Sequence, residues 1–355
     1  MTPRHLVAAL GLCLAFGQGV RADALPKLVS RETDRSVRRG LEFLAAAQKN
    51  DCWSASHGEN GQEQAAHAYV AFHTGLCGIA LLQSGSTPHE GPYADHIMRA
   101  TTFLMGIANE DGFLAVGDGA ARPMYGHGMA MLFLSQVYGM LHDPKQQERL
   151  QGVLTRAVAF TVRYQSDNGG WFYSPSTTSD EGSVAISQIH ALRACHNAGI
   201  PVPQKTVDRF IAYLEILEAP DGGLAYQPKL SSRPGSAVLG VSAAGAASFF
   251  LAGATEHALA RRLRAHVASR FGDGLGAVDR VVGHVDYVRF CTSTALFLWD
   301  DPAWPDYYRD SCKTLLAKQQ DNGSWVTPRM GAIYGTAMAL YALQLPYRQL
   351  PILQQ

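Results

Sequence analysis

The sequence predicts an all-α protein, an (α/α)6 toroid of six helical hairpins with an inner and an outer helix ring. Three observations predict it. A polar turn ending in Trp recurs, as Gln165-Ser-Asp-Asn-Gly-Gly-Trp171, Gln319-Gln-Asp-Asn-Gly-Ser-Trp325 and, more loosely, Gln48-Lys-Asn-Asp-Cys-Trp53. Each copy occupies the same place in a longer repeated unit, and such self-similarity marks a repeat architecture. The stretch after the turn is apolar nearly all round, and a helix apolar on every side is buried on every side.

The units follow in order. Arg39-Gly-Leu-Glu-Phe43-Leu44 leads through Gln48 to Trp53, with Phe43, Leu44 and Gln48 on one helical stripe. Arg99-Ala-Thr-Thr-Phe103-Leu104 leads to Asp111-Gly112-Phe113, and the inner helix follows over Gly128 to Tyr138. Arg156-Ala-Val-Ala-Phe160 leads to Gln165 and Trp171, with an inner helix over Val184 to Leu192. The stretch from Arg209 to Glu218 leads to Asp221-Gly-Gly-Leu224, with an inner helix over Ala243 to Leu251. A degenerate copy, Arg264-Ala-His-Val, leads to Gly272-Asp-Gly-Leu275, with an inner helix over Thr292 to Trp299. Ser311-Cys-Lys-Thr-Leu315-Leu316 leads to Trp325, with an inner helix over Gly335 to Leu343. The anchors Trp53, Phe113, Trp171, Leu224, Leu275 and Trp325 are 60, 58, 53, 51 and 50 residues apart. Inner helices this apolar most simply close into a ring, because an open solenoid needs polar capping repeats.

Composition is consistent with one array. Apolar residues are 47% and charged residues 17%, and the formal net charge of +0 favours neither nucleic acid nor an anionic membrane as partner. The toroid is expected over residues 35–346, with a C-terminal tail over 347–355. Residues 1–22 read as a signal peptide. Arg4 and His5 precede an apolar run from Leu6 to Gly17, and Val20-Arg21-Ala22 offers small residues for cleavage after Ala22. That run is too short to span a bilayer. The mature chain is therefore expected to be exported, periplasmic or secreted. Five scattered cysteines remain and do not form a disulfide framework, although a Cys52–Cys77 or Cys291–Cys312 bridge stays open.

The unit [Lys/Arg]-[Gly/Ala]-x2-[aromatic]-Leu-x3-Gln followed by Gly-x-Trp resembles the repeat (QW motif) of squalene–hopene cyclases and protein prenyltransferase β-subunits. The resemblance covers residues from about 35 to 345. More narrowly, Met124-Tyr-Gly-His-Gly-Met-Ala130, Asn168-Gly-Gly-Trp-Phe-Tyr-Ser174, Asn197-Ala-Gly-Ile200 and Tyr334-Gly-Thr-Ala-Met338 look like secreted bacterial, planctomycete-type prenyltransferase and squalene oxidase repeat proteins. The resemblance implies the toroid and a central cavity that takes an apolar ligand such as an isoprenoid.

The chemistry those relatives use is not written here. The cyclases build a strong acid from Asp-x-Asp-Asp, which this chain lacks; Asp300-Asp301 follows an inner helix, at the wrong end. The prenyltransferases hold zinc with Asp-x-Cys and a distant His, also absent, and His73-x3-Cys77 has no evident third ligand. No cofactor or metal is implied. What remains are polar and aromatic residues at the start of each inner helix, expected to rim the ring's mouth. As catalytic candidates these are His127, Asp180 and His284, a His beside a carboxylate being an acid–base pair. As ligand-binding candidates they are Tyr69, Tyr125, Ser183, Asp286, Tyr287 and Tyr334, with His67 and Thr336 at equivalent places. Each also has a plain structural reading, capping a helix or hydrogen-bonding a neighbouring loop, with Asp180 or Ser183 the cap of its helix. Trp53, Trp171 and Trp325 read as staples between hairpins, with the Gln bonded to backbone at the next helix start. The leading expectation is an exported toroid that binds a small apolar molecule in its cavity. The alternatives are a non-catalytic envelope scaffold for a peptide or partner protein, and a carbohydrate-active (α/α)6 enzyme using paired carboxylates or a Tyr/His pair.

Overall fold

A computed structural model describes residues 25–54, 69–116, 122–270, 284–328 and 330–353. The signal segment, His67 and the fifth turn at Gly272 to Leu275 lie outside them. The described residues form twelve α-helices and no β-strand. The outer helices are α1 (Arg31–Ala47), α3 (Ala94–Gly106), α5 (Pro144–Arg163), α7 (Gln204–Ile216), α9 (Ala258–Ser269) and α11 (Trp304–Lys318). The inner helices are α2 (Val70–Leu82), α4 (Pro123–Val137), α6 (Gly182–Asn197), α8 (Leu239–Leu251), α10 (Val285–Leu298) and α12 (Gly331–Gln344).

The two sets differ as the sequence requires. Every residue of α2 is buried, whereas α1 buries one stripe that includes Val37, Gly40, Leu41 and Leu44. Small residues let the inner helices approach closely. A Cβ at Gly75 would sit 2.7 Å from the Met129 carbonyl oxygen on α4. The ring closes: α2 packs on α4, α4 on α6, α6 on α8, α8 on α10, α10 on α12, and α12 back on α2. Two hydrogen bonds from side-chain amides rivet that last seam, Gln83 Nε2 to the Tyr341 carbonyl at 3.4 Å and Gln344 Nε2 to the Ala80 carbonyl at 3.0 Å.

The Gln-to-Trp turns are the staples. Trp53, Trp171 and Trp325 are 0%, 0% and 4% exposed. Each indole Nε1 donates to a carbonyl of its own outer helix, at Leu44, Thr161 and Leu315, all at 2.7 Å. Each Gln reaches the next outer helix instead: Gln48 to the His96 carbonyl, Gln165 to that of Thr206, and Gln319 to that of Ser36 across the seam. The turn glycine presses on that same helix. Gly169 and Gly323 have φ of +97° and +86°, and a Cβ there would lie 2.2 Å and 2.5 Å from the Arg209 and Arg39 carbonyl oxygens. A side chain would meet both the strained φ and the clash. Those two arginines clamp back onto the turns, Arg209 on the Ser166 carbonyl and Arg39 on those of Gln320 and Asp321.

One anchor shifts. Leu114, 0% exposed, fills the second turn's place, while Phe113 is half-buried and stacks on Phe160 at 4.6 Å. The described cysteines are all free, so neither open bridge forms. Beyond α12 the chain turns across the inner helices' C-terminal ends. Arg348 lies over the Phe297 ring at 5.0 Å, Ile352 N–H donates to Gln136 Oε1 at 3.2 Å, and Leu350, Ile352 and Leu353 are buried. The tail thus covers the end of the ring opposite the turns. No described helix is long and apolar enough to cross a membrane.

Candidate functional site at the mouth of the ring

All six inner helices start at the turn end, so the first residues of each face one opening. One tyrosine from each unit stands there: Tyr69, Tyr125, Tyr173, Tyr226, Tyr287 and Tyr334, every one of them half-buried. Tyr69, Tyr125, Tyr287 and Tyr334 come from the inner-helix starts, as expected. Tyr173 and Tyr226 were missed, because they ride on the turns. Their signal was legible as a Tyr two residues after the anchors Trp171 and Leu224.

The rings make a continuous arc. Phe72 stacks on Tyr334 at 6.2 Å and meets Tyr125 edge-on at 6.3 Å; Tyr125 lies 6.1 Å from Tyr173. The Tyr173 and Tyr226 hydroxyls are hydrogen-bonded to each other. The Arg122 guanidinium lies over the Tyr173 ring at 4.5 Å. Tyr287 packs over Gly240 of α8, where a Cβ would be 3.2 Å from its ring.

One half of this crown is knitted together by a carboxylate that the sequence reading placed one residue off. Glu181, not Asp180 or Ser183, caps α6: it accepts from the Ser183 and Val184 backbone N–H groups at 3.0 and 2.8 Å. It also takes the Tyr125 hydroxyl at 3.2 Å and the Ser183 hydroxyl at 2.8 Å, and Tyr125 and Ser183 bond to each other. Burial raises the Glu181 carboxyl's pKa, while those hydrogen bonds pull it down. Its oxygens are filled by protein donors, which suits a bracket and not a proton donor to a ligand.

Two catalytic candidates prove to be parts of the frame. Asp180 is buried under the third turn, accepting from Ser166 Oγ and Asn168 Nδ2, both at 2.9 Å. His127 is 0% exposed; Nδ1 accepts the Leu114 N–H at 3.2 Å and Nε2 meets Thr161 Oγ1 at 2.8 Å. Its role repeats around the ring. Thr74 accepts the Trp53 N–H, Ser242 that of Leu224, and Thr336 that of Trp325. His127 is therefore the second unit's version of a turn anchor, and burial lowers its pKa to about 3. Among the described residues no carboxylate bonds to it as an acid–base partner. His284 is exposed just before α10 with no side-chain cap bond, and Asp286 pairs with Arg289 at 3.3 Å.

The other half of the crown is open. The Tyr69 and Tyr334 hydroxyls have no hydrogen-bond partner among the described residues. Between them His73 is 0% exposed with both ring nitrogens unpartnered. Tyr69, Phe72 and Tyr334 surround it at ring distances of 6.2, 5.9 and 6.4 Å. Burial lowers its pKa to about 4, so the imidazole is neutral near pH 7. Leaving such a group unmade costs roughly 1–3 kcal/mol. Among the described residues no His, Cys, Asp and Glu cluster is suited to hold a metal ion.

No protein-family profile and no curated protein matches the chain. Solved structures do. A type II terpene cyclase from Scytonema, in complex with geranylgeranyl dihydroxybenzoate, is 14% identical; the match covers 90% of this chain and 98% of that one, with a TM-score of 0.59. An alpha-amylase from Clostridium perfringens is 9% identical over 89% and 98% of the two chains, with a TM-score of 0.59. A glycoside hydrolase family 76 mannosidase from Bacteroides thetaiotaomicron is 12% identical over 90% and 98%, with a TM-score of 0.53. At such identities the likeness is one of fold, and the fold is the α/α toroid.

Proposed function

We propose that this protein is an exported receptacle for an amphipathic ligand, with an apolar body such as an isoprenoid chain held inside the aromatic mouth of the ring. The observation that carries this is the arc Tyr334, Phe72, Tyr125, Tyr173 and Tyr226 at one end, with the tail across the other. Half-buried tyrosines present an apolar face and a polar edge to the same guest. Concave sites lined this way, with few placed polar groups, are ordinary ligand sites. Tyr69, Tyr287 and Tyr334 are its contact residues. Tyr125 and Ser183 support them through Glu181, and His284 and Asp286 stand at the rim.

The reading assigns binding and no reaction. A cyclase-type proton donor would need a carboxyl with a free oxygen aimed at the guest, and Glu181 has its oxygens occupied. The signal-like run from Arg4 to Ala22 supports export, with the mature chain starting at Asp23. N-terminal sequencing of protein recovered outside the cytoplasm tests that point.

Binding is tested by titrating the purified protein with geranylgeraniol and with mannotetraose. Saturable binding of the isoprenoid and none of the sugar is expected. The reverse result supports the carbohydrate-active alternative, and a polypeptide that co-purifies and blocks geranylgeraniol supports the scaffold.

A further inference from the structure

The crown's open half lies at the seam where the sixth unit meets the first. It holds three hydrogen-bonding groups without a partner among the described residues: the His73 imidazole and the Tyr69 and Tyr334 hydroxyls. His73 is the unusual member. Native interiors pair nearly all buried polar atoms, and an unpaired one asks for an explanation. His73 is 0% exposed and neither ring nitrogen has a partner. A purely structural residue at this place would be apolar, like Phe72, Leu76 and Ile79 of the same helix, whose thirteen residues are all buried. The buried histidine of the second unit, His127, which stands at the place of Thr74 one residue along, has both nitrogens occupied. Histidine as such therefore does not have to be orphaned in this ring.

We infer that His73, flanked by Tyr69 and Tyr334, is a recognition subsite for an uncharged hydroxyl or carbonyl group on the ligand. This deepens the receptacle reading and rests on it. A neutral imidazole offers one N–H and one lone pair on opposite edges of its ring, and a hydroxyl can pair with either while a carbonyl oxygen can accept from the N–H. The two phenols add a donor and an acceptor each. The walls are aromatic: Phe72 and Tyr334 stack at 6.2 Å beside the imidazole. A charged head set against His73 would lose its water with no opposite charge bonded to the imidazole, because Arg122 and Asp286 lie beside the Tyr69 and Tyr334 phenols instead. The guest fitted to this seam is a neutral amphiphile, an alcohol or carbonyl compound on an apolar skeleton, with its oxygen turned toward α2 and α12.

Farnesol and farnesane, the saturated hydrocarbon of the same skeleton, test it. Their Kd values are measured on the full chain, wild type and variants. The wild type should prefer farnesol by about tenfold, the worth of one or two hydrogen bonds. His73→Phe should erase the preference while keeping the farnesane affinity, and its Tm should equal or exceed that of the wild type. His73→Gln should restore part of the preference, and Tyr334→Phe should lose part of it. Equal binding of both probes by the wild type, or a His73→Phe variant that keeps the preference, overturns the subsite and leaves the receptacle standing. A lower Tm in His73→Phe also overturns it, because the residue is then structural. Wild-type protein that binds neither probe overturns the receptacle, and the subsite with it.

Discussion

The two halves of the mouth are built from the same residue type and treated differently. Across units two to four, the hydroxyls of Tyr125, Tyr173 and Tyr226 are closed onto one another or onto Ser183 and Glu181. Across units six and one, His73 has neither nitrogen paired, and the Tyr334 and Tyr69 hydroxyls have no such closure among the described residues. Position in the repeat does not explain this. The closed half follows from one carboxylate, since Glu181 caps α6 and at the same time gathers the neighbouring hydroxyls. No acid stands at the matching start of α2 or α12 among the described residues. The difference teaches that paired groups at the mouth hold the ring and unpaired ones are available to a guest.

Acid should give the largest effect on the frame. The buried His73 and His127 and the half-buried His190 have pKa values lowered to about 4, 3 and 4 by desolvation, from 6.5. A depressed histidine pKa favours the neutral form in the folded state. The stability it gives is intact above pH 6.5 and is lost as pH falls toward the folded value. At pH 5 the loss is about 2 kcal/mol per histidine. Denaturant midpoints should be flat above pH 7 and fall steeply below 6, and His73→Phe should make that fall shallower. A flat profile down to pH 4 would contradict the burial of these rings.

Next comes Trp171→Ala, which removes a staple and should cost about 3–5 kcal/mol. Glu181→Ala should cost about 2–4 kcal/mol, because it strips a cap and leaves buried donors unmade. A near-wild-type midpoint for Glu181→Ala would remove the distinction between the halves. His127→Phe should cost about 2 kcal/mol by orphaning the Leu114 N–H, while His73→Phe costs nothing. That pair compares the two regions through one substitution. The smallest effects are expected for Tyr226→Phe, about 1 kcal/mol, and Tyr334→Phe, within about 0.5 kcal/mol. Equal losses in those two would mean that the Tyr334 hydroxyl is paired after all.

Much of the fold was legible because repetition speaks many times over. Trp53, Trp171 and Trp325, their Gln partners and the inner-helix apolarity all pointed to a closed ring. Leu114 was missed because Phe113 looks like the better anchor, and only the backbone shows which of two adjacent residues turns inward. The mouth was legible in residue type and not in pairing. Tyr69, Tyr125, Tyr287 and Tyr334 were read at the helix starts, yet Asp180 was read for Glu181, since a one-residue slip at a cap is invisible without the turn's hydrogen bonds. His127 looked functional because histidine is chemically versatile. Its equivalence to Thr74, Ser242 and Thr336 emerges only when their acceptors are seen on the same N–H. His73 drew notice only as a metal ligand, because an absent partner leaves no trace in a sequence.

The measurement that tests the central claim most directly is the mass of whatever the protein carries when it is purified from its own cells and unfolded in organic solvent. The account predicts one neutral, oxygen-bearing amphiphile per chain, lost when Tyr69→Phe, His73→Phe and Tyr334→Phe are combined and retained in Tyr226→Phe. A ring that leaves the cell empty and takes up neither farnesol nor farnesane would contradict it.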